Sequence, residues 1–274
     1  MPLFEIDYDT CNKDGLCALD CPAKIIEMKN EGPCLIKDAE KLCIRCGHCV
    51  AICPTGAFHL DTIPPEDCLP IQKDLILTPE QAEQFLRSRR SIRAYKNQPV
   101  PKDQFEKALS IACCAPTGSN KQPVKWLVFD KKEEVKDIAS RVIDWMTFIL
   151  EKAPQRAAIM HVDKLIKQWD MGIDRICRDA PHLVFAYSSN EFGSAAADCH
   201  TALAYLELAL PVFGLGSCWA GYVHYAAAQW PDLSKKLGLP DNHTSHGALM
   251  VGIPKTTYAR APKRNAPDVT YFAG

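Results

Sequence analysis

The segment Cys43–Pro54, with the sequence CIRCGHCVAICP, constrains what this chain can fold into more than any other. Three cysteines are separated from one another by two residues, and Cys53 and Pro54 follow after three more. This spacing lets one tight loop direct three thiolates at a single iron–sulfur cluster, whereas the cysteine before the proline points toward a second cluster. Zinc is the competing interpretation, but structural zinc usually takes two separated pairs of ligands. The spacing favours iron–sulfur.

An earlier segment repeats this pattern. When this segment is aligned with Cys43–Pro54, Asp14 lies opposite Cys46. The other matching positions are Cys11 with Cys43, Cys17 with Cys49, Cys21 with Cys53 and Pro22 with Pro54. Two-cluster proteins exchange the cysteine before the proline between their clusters. The sequence therefore predicts two clusters with crossed ligand sets. These sets are Cys11, Asp14, Cys17 and Cys53 for one cluster, and Cys21, Cys43, Cys46 and Cys49 for the other.

Asp14 is the departure from an all-cysteine repeat. A carboxylate is a harder ligand than a thiolate and suits iron less well in a sulfide-rich site. The first cluster would then be either 4Fe-4S with an oxygen ligand or 3Fe-4S. Alternatively, Asp14 only makes the turn before Gly15, which is a common role of Asp-Gly. Both interpretations stay open at this point.

Composition excludes several classes of protein. The 274 residues suggest one or two domains. With 32 basic and 33 acidic residues the net charge is −1, so we expect neither nucleic acid nor an anionic membrane as a partner. No stretch approaches the roughly 20 apolar residues of a membrane helix. Fourteen cysteines without a signal peptide at the N-terminus lead us to expect a cytoplasmic protein.

The cysteine-rich segment resembles the bacterial two-cluster ferredoxins, and residues 1–62 are predicted to form such a domain. Between the two cysteine runs, short strands at 24–28 and 34–37 are predicted to form a hairpin. Prolines at 64, 65 and 70 predict an extended surface linker over residues 63–77. A helix should follow, with Thr78, Pro79 and Gln81 forming its capping box and with Phe85 and Leu86 on its buried side.

A basic cluster follows this helix. In extended geometry Arg89, Ser91 and Arg93 would share one face, and such a face fits a phosphate group because arginine forks match its oxygens. Taken alone, a basic run is more often a solvated surface. Further along, the loop APTGSNKQP at 115–123 combines small residues with the side-chain donors Asn120 and Gln122, and suits close approach to a planar ligand.

Together, RRSIRAY and APTGSNKQP resemble the nitroreductase family of flavin mononucleotide (FMN) enzymes, and the likeness extends to the end of the chain. The resemblance implies an α+β FMN domain over residues 78–274 and an obligate homodimer, in which the loop at 116–120 reaches the flavin of the partner subunit. It places the FMN phosphate at the arginine–serine cluster and at Lys263–Arg264, and the flavin ring along the segment Gly214–Gly221. The implied cofactor-binding residues are Arg89, Arg90, Ser91, Arg93, Pro116, Thr117, Gly118, Asn120, Gln122, Cys218, Trp219, Ala220, Gly221, Lys263 and Arg264.

The rest of the second half agrees with an α+β fold. We predict strands at 126–130, 183–188 and 247–253, and an apolar helix at 194–210 in which Asp198 and His200 are hydrogen-bonded core groups. Residues 132–180 form an amphipathic insertion with Trp145, Phe148 and Trp169. Packing is the default interpretation of these side chains, and a lid over the flavin is the alternative.

These features predict an iron–sulfur flavoprotein reductase. A low-potential donor such as ferredoxin would reduce the clusters, which would pass electrons through FMN to a small acceptor: a nitro compound, quinone, flavin or activated alkene. Nicotinamide is an alternative donor, although the sequence has no GxGxxG fingerprint after a strand. The alternatives for the function are reductive dehalogenation and a non-catalytic redox relay or sensor. No residue is assigned a catalytic acid–base role.

Overall fold

The computed structural model describes residues 2–272, which divide into two compact units. The first contains the chain as far as Ile76 together with Thr117–Lys121, and the second contains Leu77–Pro116 and the chain from Gln122 onward. The elements of the first unit are β1 (Phe4–Ile6), α1 (Leu16–Asp20), β2 (Ile26–Lys29), β3 (Gly32–Leu35), α2 (Ala39–Leu42), α3 (His48–Ala51) and β4 (Phe58–Leu60). Strand β1 pairs antiparallel with β4, and β2 pairs antiparallel with β3.

The hairpin predicted between the cysteine runs is confirmed, with a shorter turn than expected. Pro33 was expected in the turn, yet it lies opposite Met28 within the ladder. Proline cannot donate to a ladder, so it is tolerated in this two-stranded sheet, where each strand is an edge. The connection therefore consists of Asn30 and Glu31 alone.

The internal repeat is visible in the backbone. The same interval that separates Cys11 from Cys43 separates three pairs of residues in the left-handed region of φ. These pairs are Lys13 with Arg45, Gly15 with Gly47, and Lys24 with Gly56. Helices α1 and α3 start directly after Gly15 and Gly47, so Cys17 and Cys49 occupy the same position in their helices. The two halves of the repeat therefore follow the same local path.

We expected an extended segment between β4 and the second unit, but it is only partly extended. It contains two 3-10 turns, Pro65–Asp67 and Lys73–Leu75. Its apolar side chains lie largely in solvent, and Leu69 and Ile71 are 92% and 85% exposed. The prolines prevent an α-helix here, but they are compatible with the short 3-10 turn that begins at Pro65.

The second unit has four strands and eight helices among its described residues. In chain order they are α4 (Pro79–Ser88), α5 (Lys102–Ala112), β5 (Lys125–Phe129), α6 (Lys132–Lys152), α7 (Pro154–Met160), α8 (Val162–Asp170), β6 (His182–Ser189), α9 (Ala195–Ala209), β7 (Gly216–Trp219), α10 (Gly221–Gln229), α11 (Pro231–Leu237) and β8 (His243–Gly252). The sheet order is β5-β6-β8-β7 and every pairing is antiparallel. The predicted α+β class and the three predicted strands are confirmed, as is the apolar helix, now α9.

Helices cover both faces of this sheet. Side chains alternate along a strand, so Leu183 and Phe185 of β6 face one core cluster, and Val184 and Ala186 face the other. The first cluster contains α6 and α10, and the second contains α5 and α9. The capping box of α4 is confirmed, because the Gln81 N–H donates to Thr78 Oγ1 and the Thr78 N–H donates to Gln81 Oε1.

The expected burial of Leu86 and the expected core position of His200 are wrong. Leu86 of α4 is 56% exposed rather than buried. Trp145 of α6 packs in the hydrophobic core and is 2% exposed, as the default interpretation expects and the lid alternative does not. Asp198 is buried as expected and accepts a hydrogen bond from Ser194 Oγ, while the exposed His200 donates to the His246 carbonyl. No helix within residues 2–272 is both long enough and apolar enough to cross a membrane.

The buried His182 at the start of β6 generates a testable prediction. Its Nε2 accepts the Val100 N–H at 2.9 Å, and burial lowers the pKa of His182 below the ordinary 6.5, against a weaker opposite effect of Asp130. The folded state thus binds the proton less tightly than the unfolded chain does. The stability contributed by neutral His182 is therefore complete above pH 6.5, and it is lost as the pH falls through the pKa of His182 in the folded state. We expect His182→Phe to lower the free energy of unfolding by about 1–3 kcal/mol at pH 8, because Val100 N–H loses its acceptor.

The matched variant His182→Gln keeps an acceptor but removes the titration. In urea titrations followed by tryptophan fluorescence between pH 5 and 8, it should stay close to the wild type at pH 8 and lose less stability on acidification. If the wild type and both variants lose the same free energy of unfolding on acidification, groups other than His182 control the pH dependence.

Candidate functional site

Two cavities in the first unit gather the predicted cluster ligands. One is lined by Cys11, Asp14, Cys17 and Cys53, and the other by Cys21, Cys43, Cys46 and Cys49. Each cavity thus contains three residues from one run and the cysteine before the proline of the other run. This division follows the crossed arrangement expected from the spacing, because each run ends by turning its last cysteine into the other half of the repeat.

The local environment controls the protonation of these thiols. Burial, followed by the negative charges of Cys46 and Cys43, raises the pKa of Cys49 to about 12. Burial also raises the pKa of Cys17 and of Cys43. Burial acts in the same direction on Cys53, but hydrogen bonds from the Thr55 hydroxyl and neighbouring backbone groups outweigh it and lower its pKa. Thiols of this kind become ligands only when the metal displaces their protons.

Asp14 has a defined role in the backbone. Its Oδ1 accepts the Leu16 N–H at 3.0 Å and closes the turn around Gly15, while the residue also lines the cavity with Cys11 and Cys17. Within residues 2–272, no three His, Cys, Asp or Glu side chains converge closely enough to hold one metal ion. In a cluster each ligand binds a different iron, so its four ligands surround a common volume without sharing one centre.

The second unit contains a cavity of about 410 Å³ beside the arginine-rich segment. Arg89, Arg90 and Lys96 line it together with Glu207 of α9. Arg89 Nη1 donates to Glu207 Oε1 at 3.0 Å, and Trp219 Nε1 donates to the other carboxylate oxygen at 3.3 Å. Glu207 therefore fixes two residues of the predicted site, although it lies more than a hundred positions from Arg89 along the chain.

Backbone pairing brings the arginine segment to the sheet. The Ile92 N–H donates to the Ser217 carbonyl of β7 at 2.8 Å. Residue 216 must be glycine for this close approach, since a Cβ there would lie 2.4 Å from Ile92 Cγ1. Ser217 lines the large cavity, and its buried hydroxyl has no hydrogen-bond partner among residues 2–272. An orphaned hydroxyl on the wall of a basic cavity suits a ligand that carries hydrogen-bonding oxygens.

A second cavity, of about 220 Å³, contains other members of the predicted set. It is lined by Arg93 together with Cys218, Trp219 and Gly221. The expectation that Arg89, Ser91 and Arg93 share one face is therefore wrong, because Arg89 and Arg93 line different cavities and Ser91 lines neither. The chain does not continue as a regular strand after α4, so the alternation assumed for extended geometry does not apply.

Six of the remaining predicted residues belong to the second unit but line neither of these two cavities: Ser91, Pro116, Gln122, Ala220, Lys263 and Arg264. The other three, Thr117, Gly118 and Asn120, belong to the first unit. Ala220 is 2% exposed in the core, whereas Lys263 and Arg264 are exposed, and Thr256, Thr257 and Tyr258 line the large cavity instead. In the first unit, Asn120 Nδ2 donates to the Arg45 carbonyl at 2.8 Å, within the Cys43–Pro54 run.

Sequence reasoning missed several residues of these cavities. Lys96, Glu207, Ser217 and Tyr258 line the larger one, and Arg175, Arg178, Tyr222 and Tyr225 line the smaller. Ser217 lies in a segment that the resemblance had already singled out, so an available signal was overlooked. Glu207 sits within an apolar helix and the two arginines lie in an irregular loop, where neither periodicity nor spacing marks them.

Known proteins resemble both units. A family model described as 4Fe-4S dicluster domain matches residues 10–58, and one described as Nitroreductase family matches residues 86–253. A protein of Archaeoglobus fulgidus, with the provisional name NADH dehydrogenase/NAD(P)H nitroreductase, is 27% identical over 69% of this chain and 95% of its own length. An iodotyrosine deiodinase of Thermotoga neapolitana is 25% identical over 68% of this chain and 94% of its own length.

The fold also matches solved structures. A nitroreductase of Bacteroides fragilis with bound FMN has a TM-score of 0.58 at 20% identity, covering 70% of this chain and 99% of that one. The second unit thus combines an antiparallel sheet, helical layers on both of its faces and an adjoining basic cavity. The chain belongs to the nitroreductase family.

The crossed cavities generate a prediction about the clusters. We expect Cys53→Ala to disrupt the cluster that lies with Asp14 and Cys21→Ala to disrupt the other, because each cysteine lines the cavity of the opposite run. Iron and sulfide content, with electron paramagnetic resonance of the reduced protein, would distinguish the two variants. Cys34→Ala is the matched control, since Cys34 lines neither cavity. Loss of the same signal in both variants would contradict the crossed assignment.

Proposed function

We propose that this protein is an FMN-dependent reductase that takes electrons from a low-potential donor such as ferredoxin and delivers them to a small acceptor. Nitro compounds, quinones, flavins and activated alkenes are the acceptor classes. The observation that carries the proposal is the large basic cavity of a nitroreductase-family unit in a chain that also gathers two sets of cluster ligands. Bound clusters supply electrons one at a time, and bound FMN supplies them in pairs.

The residues of the large cavity fit FMN. Arg90 and Lys96 offer cationic donors for a phosphate group, and the buried Ser217 hydroxyl offers a hydrogen bond that no group in the described part of the chain uses. The Arg90 guanidinium lies 5.9 Å from the centre of the Tyr258 ring, which orients it without neutralising its charge. Glu207 neutralises Arg89, so we assign the stronger phosphate contact to Arg90.

The first unit would hold the clusters. The ligand sets are the two groups of four that line its cavities, with Asp14 as an oxygen ligand or as the turn residue of a three-cysteine site. The first cluster is then 4Fe-4S or 3Fe-4S, and the second is 4Fe-4S. Arg45 separates two ligands of the second cluster, and its carbonyl accepts the Asn120 amide. We propose that this bond fixes the loop at 117–121 beside that ligand run.

We further propose that the protein acts as a homodimer. Pro116 and Gln122 belong to the second unit but line neither of the two cavities described for it. A contribution of these residues to the flavin would therefore come from a second copy of the chain. The same argument applies to Lys263 and Arg264, which are exposed and outside both cavities.

The phosphate assignment can be tested by cofactor retention. We expect Arg90→Ala to weaken FMN binding at least tenfold, because a charge-assisted hydrogen bond is worth about 1.5–3 kcal/mol. Arg90→Lys should retain part of the affinity, since it keeps the charge but loses the fork. Arg87→Ala is the matched control, as Arg87 is exposed and pairs only with Glu83 on its own helix among the described ion pairs. Flavin fluorescence during dialysis against FMN-free buffer measures the retention, and full retention in Arg90→Ala would refute the assignment.

Turnover separates the reductase from a redox relay or sensor. We expect anaerobically purified protein to convert a quinone or nitro acceptor over many cycles with reduced ferredoxin, with product identified by mass spectrometry. Cys46→Ala should slow this turnover at least tenfold, because the second cluster loses a ligand, while Cys113→Ala at an exposed position should not. Flavin reduction by ferredoxin without any product would favour the relay.

Reductive dehalogenation is the second candidate, favoured by the iodotyrosine deiodinase relative of Thermotoga neapolitana. The reaction requires two electrons and one proton, and it replaces the carbon–halogen bond by a carbon–hydrogen bond with release of halide. Halide release from 3-iodotyrosine under the same reducing conditions would distinguish it from nitro or quinone reduction.

A further inference from the structure

The smaller cavity of the second unit carries an unusual charge. Three arginines line it, Arg93, Arg175 and Arg178, and no Asp or Glu belongs to its lining. No ion pair within 4.0 Å is formed by these three side chains in the described part of the chain. In the larger cavity, by contrast, Arg89 is paired with Glu207. The smaller cavity thus keeps an uncompensated positive charge.

The loop before β6 holds two of these arginines in place. Asp174 Oδ1 accepts the N–H groups of Ile176 and Cys177 at 2.8 Å each, and Oδ2 accepts the Asp179 N–H at 3.1 Å. Ile176 and Cys177 are 2% and 0% exposed and anchor the loop in the core. The anchoring directs Arg175 and Arg178 to the cavity on either side of the buried pair.

Backbone strain in the loop before β6 indicates that Arg178 is held in a specific position. Arg178 and Asp179 both have positive φ values, 58° and 52°. Two consecutive non-glycine residues in this region cost conformational energy, and the Asp174 hydrogen bonds and the buried pair offset that cost. The carboxylate of Asp174 accepts these backbone N–H groups and forms no ion pair within 4.0 Å with Arg175 or Arg178 in the described part of the chain.

The other walls of the cavity are aromatic or apolar. Trp219, Tyr222 and Tyr225 line it together with Met250. Aromatic faces favour a flat, conjugated molecule, and arginine forks favour a carboxylate. Gly221 and Cys218 of the same lining belong to the segment predicted to follow the flavin ring. The cavity thus combines a planar binding surface with an anion site.

We propose that the acceptor of this enzyme is a planar, conjugated carboxylate, held by Arg175 and Arg178 in the smaller cavity. This inference rests on the proposed reductase function and deepens it, because it names the charge and shape of the substrate. Arg93 lines the same cavity and contributes to the same positive field. Neutral acceptors of the same shape bind to the aromatic walls alone and therefore bind more weakly.

Equilibrium binding tests the proposal without relying on turnover. Holoprotein is titrated by calorimetry with 4-nitrobenzoate and with its neutral analogue 4-nitrobenzamide. We expect the wild type to bind the carboxylate at least tenfold more tightly, with a preference that decreases as salt is raised. Arg178→Gln should lower the carboxylate affinity about tenfold and leave the amide affinity unchanged, and Arg175→Gln/Arg178→Gln should nearly abolish the preference. Arg87→Gln removes one remote positive charge and should change neither affinity.

Each outcome decides between assignments. Equal affinity of the wild type for both compounds, or an equal loss for both in the variants, would overturn the proposal. Loss of FMN from Arg178→Gln would also overturn it, by assigning this arginine to the cofactor. The reductase function is judged separately: product formation from a neutral quinone supports it whatever the anion preference, and its absence alongside an intact preference would refute the reductase while leaving the anion site.

Discussion

The hydrogen bond from the Ile92 N–H to the Ser217 carbonyl organises the second unit's candidate site. It attaches the arginine-rich segment to β7, and two further backbone bonds, from Lys96 to Ile253 and from Lys255 to Ala94, attach it to the chain after β8. The segment therefore lies between two parts of the chain that are distant in sequence. Both cavities border this segment, and each receives different arginines from it.

Features with a strong local signal were predictable from sequence. Cysteine spacing predicted which residues line each of the two cavities of the first unit, because such a run is a property of one short loop and its repeat. The capping box at Thr78 and the apolar strands were predictable for the same reason. The distribution of the arginines was not, because it depends on Glu207 and on backbone pairing with β7. A regular extended geometry was the wrong assumption after α4.

Electrostatic contrast distinguishes the two cavities. Glu207 reduces the positive charge of the larger one while fixing Arg89 and Trp219. Asp174 lies in the loop that carries two arginines of the smaller cavity, and its carboxylate accepts hydrogen bonds from three backbone N–H groups. Carboxylates thus stabilise both sites, but only one of them neutralises an arginine. Trp219 lines the smaller cavity and bonds to a residue of the larger, so the two environments are physically connected.

The Asp14 turn bears on the difference between the two halves of the iron–sulfur repeat. A carboxylate has two oxygens, and the bond to the Leu16 N–H engages Oδ1. The turn and a metal-ligand role are therefore compatible at this position, because the second oxygen belongs to the same planar group at the cavity wall. Cys46, at the equivalent position of the other run, has one sulfur to serve as ligand. The repeat thus keeps its backbone path at Gly15 and Gly47 while its chemistry differs at one corner.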